Sequence, residues 1–158
     1  MPPYPDSTMG LAETKRALRD AGFQVYDVKE EFISLAERVR DNLILHSGIA
    51  IRATPPAIRV HLRAQSTHFP GQSQDRVYAH AETLAREFER RGYAILGSSR
   101  TEVTDPSFPE RTIDVVLGVT VERLCDDFSE VLTEVGAAFL LPRTTSESSN
   151  PPPFSVSS

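Results

Sequence analysis

Ala57-Ile58-Arg59-Val60-His61-Leu62-Arg63-Ala64 alternates apolar and polar side chains without a break. Period-2 patterning of this kind belongs to a strand with one buried face. Ile58, Val60 and Leu62 point one way, and Arg59, His61 and Arg63 point the other. A second such run covers Arg111 to Glu122, with Ile113, Val115, Leu117, Val119 and Val121 opposite Thr112, Asp114, Thr120 and Glu122. Between them lies the helical stripe Val77, Ala81, Leu84, Ala85 and Phe88, opened by Ser73 as an N-cap and closed by Gly92. Together these segments set the class as α+β.

Working outward, the proline-rich residues 1–6 read as an extended arm. Asp6-Ser7-Thr8 is suited to cap a first helix carrying Leu11, Ala17, Leu18 and Ala21, with Gly22 at its C-terminal cap. Asp27 with Glu30 has the form of a capping box, and Val28, Phe32, Leu35, Ala36, Val39 and Leu43 recur at helical spacing behind it. A second helix ending at Gly48 is therefore predicted, making an N-terminal helix pair. Gly48 to Arg52 reads as a strand, and Thr54-Pro55-Pro56 as the reversal before Ala57. Tyr93 to Leu96 and Arg100 to Val103 read as strand pieces around a bend or bulge at Gly97-Ser98-Ser99. Asp105-Pro106-Ser107-Phe108-Pro109 reads as a loop, and Asp127 with Glu130 opens a last helix that Pro142 stops.

The expected architecture is a single domain over residues 7–142, with about four antiparallel strands, helices on one face, and a disordered Ser/Pro-rich tail over 143–158. Gly48-Ile49-Ala50-Ile51 echoes Gly92-Tyr93-Ala94-Ile95, and each opens a strand–strand–helix block.

The 158 residues suffice for one hydrophobic core. A net charge of -5 disfavours nucleic acid and anionic membrane as partners. Two of the 17 basic residues, Lys15 and Lys29, are lysine and the rest arginine, whose planar fork suits carboxylate pairing and interfaces. The single cysteine, Cys125, allows no internal disulfide and no multi-cysteine metal site. With neither a signal-peptide pattern at the start nor an apolar run of about 20 residues, the chain is expected in the cytoplasm, not secreted.

Reaction chemistry finds little footing. His46, His61, His68 and His80 lack metal-ligand spacing, and His80-Ala81-Glu82 places its two donors on different sides of a helix. Cys125 is followed by Asp126 and Asp127, which oppose thiolate formation. Phosphate-cradling glycine loops and a Gly-x-Ser-x-Gly elbow are missing from the sequence. No catalytic residue, cofactor, metal or small-molecule ligand is indicated.

What remains suits assembly. Phe108, between prolines and followed by Pro109, is a candidate anchor for a partner pocket. Arg59, His61 and Arg63 form a row that either gathers phosphates or pairs across the sheet with Asp114, Glu122 or Glu102; the acidic chain favours pairing or an interface. The candidate interface is thus Phe108, Pro109, Arg59, His61, Arg63 and Asp114.

The run Arg59 to Gln65, the helix around Ala79 to Arg90, a loop, and then Arg111-Thr112-Ile113-Asp114-Val115 together resemble phage tail-terminator and related neck proteins. The likeness is one of pattern and order over residues 45–122. It implies a ring-forming, non-enzymatic structural protein at the head–tail junction, located in the virion, with no catalytic residues to carry over. In size and acidity the chain is also similar to small acidic secretion chaperones, which implies a homodimeric chaperone-like or adaptor protein as the alternative. Both readings expect protein partners and a homo-oligomer.

Overall fold

A computed structural model describes residues 10–40 and 43–145. The N-terminal arm, the Asp6-Ser7-Thr8 cap and the tail beyond residue 145 lie outside the described residues. The element order is α1 (Leu11–Asp20), β1 (Gln24–Lys29), β2 (Phe32–Arg40), β3 (Leu43–Arg52), β4 (Ala57–Gln65), a 3-10 turn (Ser66–His68), α2 (Gln74–Glu89), β5 (Ala94–Asp105), β6 (Phe108–Leu124) and α3 (Phe128–Phe139). The class is α+β, with, among the described residues, one antiparallel sheet of six strands in the order β1-β2-β3-β4-β6-β5 and three helices. Six strands replace the expected four, while the order strand–strand–helix does occur twice, as β3-β4-α2 and β5-β6-α3.

The chain resolves into two compact units, with the division falling inside β4 and β6. Of the described residues, the first holds 10–40, 43–60, 92–94 and 122–141. Its helix α1 starts at Gly10, whose N–H donates to Glu13 Oε1 at 3.1 Å, and ends at Gly22, whose φ of 95° is the left-handed cap that the sequence calls for. Leu18 is its fully buried residue, and α1 lies beside β1 as α3 lies beside β3.

The predicted second helix is not there. Residues 24–40 form the β1–β2 hairpin, turning at Glu30-Glu31 with Lys29 opposite Phe32 and Glu30 at φ 55°. The reason is burial on both faces of β2: Phe32, Ile33, Ser34, Leu35 and Ala36 are all buried in succession. A continuous apolar run contains helical spacings as well as strand spacings. The strand placed at Gly48 likewise begins earlier, at Leu43. Gly48 (φ 86°) sits within β3, where the pairing with β2 shifts register.

Of the described residues, the second unit holds 61–91, 95–121 and 142–145. Ser73 Oγ accepts the Arg76 N–H and caps α2, which buries Val77, Ala81, Ala85 and Phe88 at helical spacing. Phe88, fully covered, contributes about 2–3 kcal/mol by burial. The two strand pieces predicted around Gly97 to Ser99 are one strand, β5. The five-residue loop predicted at Asp105 to Pro109 is a two-residue turn, Pro106-Ser107, closed by the Ser107 N–H on Asp105 Oδ1 at 2.9 Å. Arg143 to Thr145 do not trail away: Arg63 N–H donates to the Arg143 carbonyl (3.0 Å) and Thr145 N–H to the Arg63 carbonyl (3.1 Å). In this way Thr144 bridges the part of β4 beyond its pairing with β3. No described helix is long and apolar enough to cross a membrane.

Candidate interface

The polar face of β4 meets the polar face of β6 residue by residue. Arg59 donates through Nε (3.0 Å) and Nη2 (2.7 Å) to Glu122 Oε1, and its guanidinium lies 4.1 Å from the centre of the Phe32 ring. Arg52 approaches the same ring at 5.0 Å. His61 Nδ1 bonds Thr120 Oγ1 at 3.0 Å. Further along, Gln65 Nε2 donates to Asp114 Oδ2 at 2.8 Å. Residue numbers rise on β4 as they fall on β6, as antiparallel neighbours require.

Asp114 is the fixed point of that end. Its carboxylate also accepts the Thr67 N–H (3.1 Å), the Thr67 hydroxyl (3.2 Å) and the Val115 N–H (2.8 Å). Burial pulls its pKa upward, and the hydrogen bonds from Gln65, Thr67 and Val115 outweigh that and hold it below the ordinary carboxylate value. The row read as a basic strip is thus engaged within the chain: Arg59 is neutralised by Glu122 and His61 is held by Thr120. Arg63 is exposed, and its backbone groups carry the Arg143–Thr145 segment.

Phe108 and Pro109 sit elsewhere in the same unit, at the start of β6 next to the turn. Phe108 is 56% exposed. It belongs to a ribbon wet on both faces: every residue from Ala94 to Thr104 is exposed, and so are Phe108 to Ile113. Ile95, Leu96, Val103, Phe108 and Ile113 are its exposed apolar members. Arg100 bonds Glu102 through Nη1 (2.8 Å) and Gln74 Oε1 through Nε (2.9 Å), and Glu102 accepts the Thr112 hydroxyl (2.9 Å). The structure therefore pairs Arg59 with Glu122 in the first unit and, in the second, binds His61 to Thr120 and Asp114 to Gln65 and Thr67, with Phe108 and Pro109 at the ribbon tip.

No family model, curated protein or solved structure matches this chain. The reading rests on its own residues.

One cluster escaped the sequence reading. In the first unit Arg123 pairs with Glu130 (2.7 Å) and Glu134 (2.8 Å), and the Tyr93 hydroxyl donates to Glu134 Oε1 at 3.3 Å. Glu134 is buried in the stripe of Phe128, Val131, Val135 and Ala138. A glutamate at a core position of a helix demands a cation, and that was the signal available in the sequence. Burial, and next the charge of Glu134, pushes the Tyr93 phenol far above its ordinary value. Burial, then Glu130, pushes the Cys125 thiol up to about 11, so it is protonated and unreactive at neutral pH.

The histidines are dispersed into separate local contacts. His46 Nδ1 accepts the Gly48 N–H (2.9 Å), His68 bonds the Thr145 carbonyl (3.0 Å), and His80 stacks on Phe69 with centroids 3.9 Å apart. Among the described residues no group of three His, Cys, Asp or Glu side chains is placed to hold a metal. A hollow of about 520 Å³ beside the stacked Phe23 and Phe139 rings has Glu37 as its one titratable lining residue.

Proposed function

We propose that this chain is a non-enzymatic assembly protein that acts through self-association and protein partners. Its sharpest form is a phage-type tail-terminator or neck component in a virion. The observation that carries the reading is the β5–β6 ribbon. Strands of a lone domain bury one face, whereas this ribbon presents Ile95, Leu96 and Val103 of β5, the edge strand among the described residues, and Phe108 and Ile113 of the neighbouring β6 to solvent. Exposed apolar ribbons and open edges are surfaces that other chains complete. The polar groups elsewhere support the same view, since Arg59, His61, Asp114 and the Tyr93 cluster are bound into the fold's own pairing.

A small acidic homodimeric adaptor in the cytoplasm is the second reading, and β5 itself favours it for the reason developed in the next subsection. The two readings differ in symmetry. A ring needs two different surfaces meeting head to tail, and a dimer needs one surface that complements itself.

Light scattering across a concentration series tests both. A ring-sized mass supports the terminator form and a tight dimer supports the adaptor. A monomer at every concentration refutes self-association. Phe108→Ala should leave the melting temperature unchanged, because the side chain is mostly in water, and should weaken association. Unchanged association in that variant removes the ribbon tip from the interface.

A further inference from the structure

Edge strands are normally blunted by lysine, proline, bulges or shortness. β5 is twelve residues long and contains neither lysine nor proline. Among the described residues it has β6 on one side and is the last strand on the other. Its central charges are Arg100 and Glu102, flanking Thr101, with side chains about half exposed. Both are already oriented, Arg100 by Gln74 and Glu102 by Thr112, so their geometry precedes any partner.

We propose that β5 is a homotypic docking edge, to which a second copy of the chain adds its own β5 antiparallel with Thr101 opposite Thr101. Arg100 of each copy then faces Glu102 of the other. The register follows from symmetry. A two-fold axis perpendicular to the sheet keeps each residue on its own face, so the axis must pass through a residue pair. Centring it on Arg100 sets two arginines against each other, and centring it on Glu102 sets two carboxylates against each other. Centring it on Thr101 opposes unlike charges twice and pairs threonine with threonine, both favourable across antiparallel strands. Arg100 has five N–H donors, two of them engaged by Gln74 and Glu102, so it takes a second carboxylate without giving up the first. In this register Leu96 falls opposite Pro106 of the second copy, beside the turn that precedes Phe108. The partner is therefore another molecule of this chain, and the closed product is a dimer.

This inference rests on the self-association proposed above, and charge exchange separates the two. The full-length chain is compared with Arg100→Glu, Glu102→Arg and the double exchange. Each single reversal opposes like charges at both symmetric contacts and should raise the dimer dissociation constant at least about tenfold. The double exchange should restore it. The two single-reversal chains, each poor at pairing with itself, should pair with one another when mixed. Thr101→Cys in a Cys125→Ser background should form an interchain disulfide on oxidation, since opposite residues lie within bridging range. Association indifferent to these charges, or the absence of the Thr101→Cys crosslink in an associated chain, overturns the β5 edge and leaves self-association standing. A wild-type chain that is monomeric throughout overturns both.

Discussion

Gly118 lies buried in β6, facing Ser99 and His61. A methyl group on it would stand 2.6 Å from Ser99 Oγ, 2.9 Å from His61 Cε1 and 3.0 Å from His61 Nε2, so neighbours must move for alanine to fit. Ser99 is exposed, and its hydroxyl turns to another rotamer at small cost. The imidazole is less free, because Nδ1 is held to Thr120 Oγ1 at 3.0 Å. Swinging the ring away gives up that hydrogen bond, about 1 kcal/mol, and leaves the side chain off its rotamer, about another 1 kcal/mol. Alanine in turn restricts the unfolded chain more than glycine does, which returns about 0.5–1 kcal/mol. Gly118→Ala should therefore destabilise by about 1 kcal/mol. The assay is urea unfolding, read as a lower midpoint at constant m. In a His61→Ala background the sign should reverse, with a gain of about 0.5 kcal/mol. Stabilisation of the wild-type chain by Gly118→Ala, or an equal cost with and without His61, refutes the steric account of residue 118.

Three further outcomes follow from the same geometry. Glu134→Ala strips the buried carboxylate from the half-buried Arg123; because Glu130 still faces Arg123, the loss should fall at about 2–3 kcal/mol, and a loss below about 1 kcal/mol in denaturant titration would show that Glu134 is not buried in solution. Asp114, whose folded pKa lies below its ordinary carboxylate value, adds stability that is present above the ordinary value and lost as pH falls through the folded one. Asp114→Asn should accordingly flatten the acid limb of the stability–pH curve, and an unchanged limb contradicts the hydrogen-bond set. The Cys125 thiol, raised to about 11, favours the protonated folded state, so its contribution is intact below the ordinary thiol range and fades as pH rises toward 11. Iodoacetamide should label it far more slowly at pH 7.5 than a free thiol, and equal rates would disprove its burial.

Much of this fold is legible in the residue order, and the legible parts share one property. β4, β6, α2 and α3 each bury one side. Ile58, Val60 and Leu62 therefore alternate with Arg59, His61 and Arg63, and Val77, Ala81, Ala85 and Phe88 recur at helical spacing. The caps at Ser73 and Asp127 and the left-handed glycines Gly22 and Gly92 mark the ends through purely local chemistry. The candidate site was legible in part. Arg59 and Glu122 could be named as cross-strand partners, whereas the Tyr93–Glu134–Arg123 cluster joins the residue before β5 to β6 and α3.

The sequence by itself determined the α+β class, the two strand–strand–helix successions and the places where β4, α2 and α3 begin and end. Burial of one face writes a period into the chain, and backbone capping is local. Tertiary structure decided the rest. β2 buries five consecutive residues, Phe32 to Ala36, so both its faces are covered and its period vanishes into a run that also fits a helix. β5 is wet on both faces, so its pattern is equally mute about being a single strand. Whether Thr144 joins β4, and whether an arginine meets a carboxylate or open water, depends on which distant segments become neighbours, and that follows from the path of the chain through space.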